Sequence, residues 1–319
     1  MTPNRSEVHP MPNGILLLDK PRGLSSNRAL QTVRRALGAR KAGHVGTLDP
    51  LATGMLPICL DEATKIIALI EGGRKAYAFG ISLGTRTATG DAEGAVVETQ
   101  PVPVSTPQQI EAVLSGFRGE QQQVPPMYSA LKRDGEPLYR LARAGIEVER
   151  APRRVVLYRL ELRAQLPDRL VLECECSKGT YVRVLAEDIA AVLGTCGHVD
   201  ELRRLWVEPF AATTMLTLEA TLADPSQALR SLLPADQAVL ALPPLAFAER
   251  EVQALQQGQA VSGAAAGTLP AGVSAQVAAT GTVAMPAALR VRLYRLSGEF
   301  LGLGEIVGGQ VLPRRLFVT

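Results

Sequence analysis

Short apolar blocks broken by glycine and proline set the rhythm of this chain, and they predict many short strands with a few helices between them. Residues 15–18 read as a buried strand that Pro21 and Gly23 turn out of the core. Leu30, Val33 and Leu37 then recur at helical spacing behind Ser25 or Ser26 as a cap, with Gly38 as the stop. Residues 55–60 form a second buried strand, and 62–70 an amphipathic helix closed by Gly72 and Gly73. From Lys75 to Leu83 the alternation puts Tyr77, Phe79, Ile81 and Leu83 on one face, which predicts a strand with one bulky side. Thr106-Pro107-Gln108-Gln109 is a capping box with proline at the first helical position. Residues 155–162 and 170–176 predict a strand pair joined around Pro167-Asp168, followed by a helix marked by Val182, Leu185, Ala186, Ile189 and Val192 and stopped by Gly194.

One stretch departs from this rhythm. Residues 43–57 hold three glycines, two prolines, one histidine and one acid, a composition that predicts a shaped loop anchored by the apolar strand after it. Pro50 biases Asp49 away from helical backbone and stiffens the chain beyond it. Such an acid either caps a turn or acts as a nucleophile or base.

Composition narrows the chemistry. With 319 residues, 46% hydrophobic and 20% charged, the chain has the make-up of a folded protein of more than one domain. The net charge of +3 is a weak hint of a polyanionic partner, so local clusters must carry that argument. Four cysteines and three histidines show no zinc spacing, and Cys174 and Cys176 share one face of a strand as core residues. No metal and no cofactor is expected. The first apolar run ends at Asp19 and no window reaches the ~18 apolar residues of a membrane span, so a soluble, cytoplasmic protein with reduced thiols is expected.

The string from Gly43 to Pro57 resembles the GHxGxLDPLATGxLP signature of the TruB-type pseudouridine synthases, which act on the T-loop of tRNA. Further motifs follow in the same order: Asp19-Lys20-Pro21-x-Gly23-x-Ser25-Ser26, then Lys75-x-Tyr77 through Thr87-x-Thr89-x-Asp91-x-x-Gly94, then Ser177-Lys178-Gly179-Thr180-Tyr181-Val182-Arg183, then Leu202-Arg203-Arg204. The likeness spans roughly residues 14–210. It implies isomerisation of uridine 55 to pseudouridine, with Asp49 as catalytic carboxylate, Tyr77 against the uracil and Arg183 paired with Asp49. Taken alone, Tyr77 would be a core residue and Arg183 a surface one. The likeness also places His44 in space opened by flipped nucleotides, Tyr181 and Leu202 against the base, and Lys20 at the RNA. Residues 124–154 resemble an RNA-gripping insertion, where Lys132, Arg143 and Arg154 stand among further cations and the aromatics Tyr128 and Tyr139. Glu208 departs from the pattern at a position often held by glycine.

The expected fold is α+β, with a mixed, largely antiparallel central sheet flanked by helices and a small C-terminal β-barrel of PUA type. Expected divisions are an arm over 1–13, a catalytic domain over 14–238 and the PUA-like unit over 239–319, after the hinge at Leu242-Pro243-Pro244. The alanine- and glycine-rich residues 263–288 resemble nothing. The leading expectation is a monomeric enzyme acting on tRNA without an obligatory protein partner. A guide-RNA-dependent synthase, a non-catalytic RNA-binding protein and a carboxylate glycosidase are the alternatives. The insertion argues against the first, the intact Asp49, Tyr77 and Arg183 against the second, and the lack of a second signature acid against the third.

Overall fold

In a computed structural model, the structure describes residues 12–133, 135–267 and 288–317. Residues 1–11 of the expected arm and 268–287 of the alanine- and glycine-rich stretch lie outside the described residues.

Among the described residues a nine-stranded sheet runs in the order Leu216–Thr217, Gly14–Lys20, Thr53–Leu60, Gly197–Val207, Lys75–Leu83, Arg169–Cys176, Arg153–Leu166 and Gly119–Gln123, with Ala42–His44 paired to Thr53–Leu60. Two of its pairings are parallel, Gly14–Lys20 with Leu216–Thr217 and Gly197–Val207 with Thr53–Leu60, and the rest are antiparallel. The mixed, largely antiparallel sheet is therefore as expected.

The uninterrupted apolar character of the first strands has a direct cause. Leu16 and Leu18 enter one core with Leu56, Ile58, Phe79 and the helices Ser26–Ala36 and Val182–Val192, while Ile15 and Leu17 enter a second core with Met55, Cys59 and Ile66. A strand covered on both faces has no polar side to display. Toward the other edge, Arg169–Cys176 alternates strictly between half-buried and buried, because its Leu170, Leu172, Cys174 and Cys176 alone face the core.

Three elements differ from the sequence reading. Residues 61–71 form a 3-10 turn, Asp61–Ile66, followed by one short helix, Ile67–Glu71, rather than a single helix. The loop around Asp49 is confined to residues 45–52, because its flanks pair as strands and the Val45 amide donates to the Pro57 carbonyl at 2.9 Å. The third is the central strand Gly197–Val207, which the pattern did not announce.

After Pro244 the chain builds a second, curled sheet of five described strands in the order Pro244–Phe247, Leu289–Arg295, Phe300–Val307, Gln310–Leu316 and Val261–Ser262. It closes over its own core of Phe247, Val252, Leu255, Val291, Leu293 and Leu301. Leu303 and Phe317 join it to the second core of the large sheet, where Lys65 Nζ donates to the Leu316 carbonyl at 2.7 Å and Arg315 donates to the Lys65 carbonyl at 2.9 Å.

Gly54 sits where two strands approach closely. It has φ +96° and lies opposite Arg204 in the parallel pairing, so that an added Cβ would stand 2.1 Å from the Arg204 carbonyl oxygen. Gly54→Ala is expected to lower stability in denaturant titration by about 3 kcal/mol, through backbone strain and collision together. Gly179→Ala, at φ +82° but in open space, should cost only about 1 kcal/mol.

Candidate active site

The loop at residues 45–52 is held from three directions. Ser26, at the start of the helix Ser26–Ala36, donates from its hydroxyl to the Leu48 carbonyl at 2.9 Å and accepts from the Leu48 amide at 2.8 Å. The Gly23 amide donates to the Pro50 carbonyl at 2.8 Å. Arg204 donates through Nε to Met55 O at 2.7 Å, and through Nη2 to Val45 O at 3.1 Å and Gly46 O at 3.0 Å, so one guanidinium joins both flanks of the loop. Arg204 is 1% exposed, and its guanidinium donates to three carbonyl oxygens.

Asp49 projects from this framework into a cleft of about 600 Å3. Its Oδ2 lies 3.0 Å from Arg183 Nε, and its side chain keeps 36% of its surface while that of Arg183 keeps 7%. The pair is a single contact, because the other guanidinium nitrogens are engaged elsewhere. Nη1 donates to Thr89 O and Nη2 to Tyr128 O, each at 2.7 Å. Asp91, buried, stands 3.8 Å from Nη1 and is fixed by Thr89 Oγ1 at 2.6 Å and the Glu93 amide at 3.1 Å. Burial pushes the Asp49 carboxyl above its ordinary value, and Arg183 offsets part of that rise while Asp91 adds to it.

Tyr77 and Leu202, both buried, line the same cleft. Burial pushes the Tyr77 phenol up to about 12, with Arg204 acting in the other direction, so at neutral pH the phenol is a neutral donor. Tyr181 borders the cleft just before the helix Val182–Val192, where Gln123 clamps its backbone by accepting from the Tyr181 amide at 2.9 Å and donating to its carbonyl at 3.3 Å. Burial also raises the Tyr181 phenol, opposed by the neighbouring Ser129, Arg153 and Arg183.

Other expected positions lie at the edge of this group or beyond it. Lys20 is fully buried, and its ammonium donates to Pro21 O at 2.9 Å, Leu24 O at 2.7 Å and Pro50 O at 3.5 Å. It therefore buttresses the loop from behind instead of facing RNA, and desolvation lowers it to about 8. His44 is half-buried on the strand Ala42–His44, outside the cleft lining, with Nδ1 unpartnered and its pKa lowered by burial and by Arg204. Lys132 and Arg143 are on the outside of the insertion. Arg154 lies on the cleft rim, paired with Glu120.

Several cleft residues were not singled out from the sequence as part of this cleft. Arg204, Lys75, Arg153 and Lys178 bring the cations of the lining to six, against the acids Asp49 and Glu71. Strand parity could have found two of them, since Lys75 is two residues from Tyr77 and Arg204 two from Leu202, each on the same strand face. Among the described residues no cluster of His, Cys, Asp and Glu is arranged to hold a metal.

Comparison with known proteins gives the family. The family described as "TruB family pseudouridylate synthase (N terminal domain)" matches residues 34–182, and "tRNA pseudouridylate synthase B C-terminal domain" matches residues 183–240. A protein of Aromatoleum aromaticum named tRNA pseudouridine synthase B is 49% identical over 309 residues, covering 96% of this chain and 93% of that one. A protein of the same name from Chromohalobacter salexigens is 48% identical, covering 96% and 95%. Among solved structures, a Cbf5-Nop10-Gar1 complex superposes with TM-score 0.70 at 25% identity, covering 96% of this chain and 85% of the other. An H/ACA RNP bound to a substrate RNA containing 2'-deoxyuridine gives 0.71 at 22% identity over 97% and 86%, a likeness of fold. With near-complete coverage at almost half identity, and with the catalytic-type loop and its arginine brought together in one cleft, this chain belongs to the TruB family of pseudouridylate synthases.

Proposed function

We propose that this chain converts uridine 55, in the T-loop of tRNA, to pseudouridine, with Asp49 as the carboxylate that acts on the flipped nucleotide. The observation that carries the reading is the 3.0 Å pair of Asp49 and Arg183 at a cleft lined by Tyr77, Tyr181 and Leu202. The reaction breaks the bond between uracil N1 and ribose C1′ and makes one from C1′ to C5, with loss of the C5 proton balanced by uptake of one at N1. Attack at C1′, attack at uracil C6 and removal of a ribose proton all require Asp49 ionised, and Arg183 favours that form against the desolvation around it. Tyr77 offers an aromatic wall and a neutral hydroxyl to the base. Tyr181 and Leu202 enclose the detached uracil while it turns.

A uridine within a folded loop is stacked, and extruding it costs a few kcal/mol that contacts to the flanking RNA must offset. Arg154 at the rim and Lys132 and Arg143 on the insertion supply cations for phosphates, and His44 fills space that the flipped nucleotide leaves. In this reading the catalytic domain runs over 14–238 with the insertion at 124–154, and the curled sheet within 239–319 is a PUA-like RNA-holding unit. The protein acts as a monomer in the cytoplasm, without a guide RNA or a protein partner.

Incubation with T stem-loop RNA tritiated at uracil C5, without any cofactor, should release tritium, whereas RNA that binds without release leaves a binding protein. Asp49→Asn should lower turnover by about four orders of magnitude or more while RNA still binds.

The same substitution makes a prediction about stability. A carboxyl whose folded pKa lies above its unfolded one penalises the folded state once both are ionised, and the penalty vanishes below the unfolded pKa. Asp49→Asn should therefore raise the unfolding midpoint at neutral pH, and in thermal melts that gain should shrink as pH falls from above the ordinary carboxylate range into it and be gone below it.

A further inference from the structure

The strongest uncompensated charge on this chain lies away from the insertion. Between Lys20 and Leu48 there are seven lysines and arginines and no acidic residue, whereas the insertion at 124–154 carries seven cations with four acids among them. Arg154 and Arg150 of the insertion are already paired with Glu120 and Glu147. The insertion is thus not the most strongly basic part of the chain.

Buried Lys20 aside, the cations of the first stretch are Arg22, Arg28, Arg34, Arg35, Arg40 and Lys41. All are exposed except the half-buried Arg34. Among the described residues none of the six is paired with a carboxylate. The helix Ser26–Ala36 buries Ala29, Leu30 and Val33, so its outer face carries Arg28 and Arg35, seven residues and about 10 Å apart on one side. Arg40 and Lys41 extend the ridge, held by their backbone amides, which donate to Asp61 Oδ1 at 3.0 and 2.8 Å.

The ridge is continuous with the site. Arg22 stands in the turn whose Gly23 amide bonds the Pro50 carbonyl, and Ser26, at the start of the helix, grips Leu48. A polyanion seated at Asp49 and longer than one loop can therefore run onto this face. Unpaired, exposed cations at such spacing suit phosphates, because each neutralised phosphate releases a counterion. The apolar side of the helix is packed into the core and is not free to enter a lipid surface.

We propose that this ridge is a second RNA-contact surface, which holds backbone phosphates of the substrate tRNA outside its T stem-loop. The inference rests on the tRNA reading above and adds to it a reason for the enzyme to prefer the whole molecule over the isolated arm.

The test compares the full-length protein with a variant carrying Arg28→Gln, Arg35→Gln and Arg40→Gln, all solvent-facing changes. Binding of full-length tRNA and of the isolated T stem-loop is measured across a range of salt concentrations. The variant should bind full-length tRNA about tenfold or more weakly at low salt, with a salt slope shallower by about 2 to 3, at roughly 0.7–0.9 for each of the three lost phosphate contacts. Its binding and turnover of the isolated stem-loop, and its thermal midpoint, should match those of the parent. Unchanged affinity for full-length tRNA overturns the inference, and so does an equal loss on both RNAs. Sedimentation of the parent but not the variant with phosphatidylserine vesicles, with tRNA binding unchanged, would assign the ridge to a membrane and overturn it too. Failure of the tRNA reading itself would be visible in the parent protein, as no turnover of either RNA.

Discussion

A carboxylate in a half-closed cleft has to be kept charged, and the rest of the site follows from how that is done. A unit charge 3 Å away attracts by a few kcal/mol at an effective dielectric of about 20, and by less where water still reaches the oxygens. Burial nevertheless outweighs Arg183 at Asp49, so the carboxyl remains above its ordinary value. The arginine moderates the cost of desolvation without abolishing it. A base kept largely dry and still ionisable is more reactive than one stabilised by many donors.

The same guanidinium connects parts of the chain that are distant in sequence. Its nitrogens reach Asp49 on the loop, Thr89 and Asp91 on the turn after Leu83, and Tyr128 at the root of the insertion. A change in the position of the insertion is thus felt at the hydrogen-bonding shell of Asp49 through one residue. That coupling depends on the Tyr128 carbonyl rather than on its side chain, so the residue type at 128 carries no sign of it.

How much was legible depends on what each residue had to do. Asp49, between glycines and before proline, could be picked out from its own backbone constraint, whereas Tyr77 and Arg183, which alone would pass for a core and a surface residue, were legible only through the resemblance of the motifs around them. The strand Gly197–Val207 could not. It is central, yet it carries His198, Asp200, Glu201, Arg203 and Arg204, since its polar side chains pair across the sheet, Asp200 with Arg169 and Arg203 with Asp19. Polar residues satisfied by tertiary partners look like surface in one dimension. Lys20 misled for the opposite reason: a lysine in a recognisable motif suggests a contact to RNA, and only the fold shows three carbonyl oxygens around it. Cation density along the insertion likewise hid the acids that compensate it.

Arg204 leaves a last consequence. Its three bonds tie Val45, Gly46 and Met55 to the middle strand of the sheet, and its own backbone lies against Gly54. A loop fastened in this way cannot loosen ahead of the strands that carry it. Warming the protein should leave no intermediate with a melted centre and an intact shell, so that inactivation and global melting form a single cooperative event.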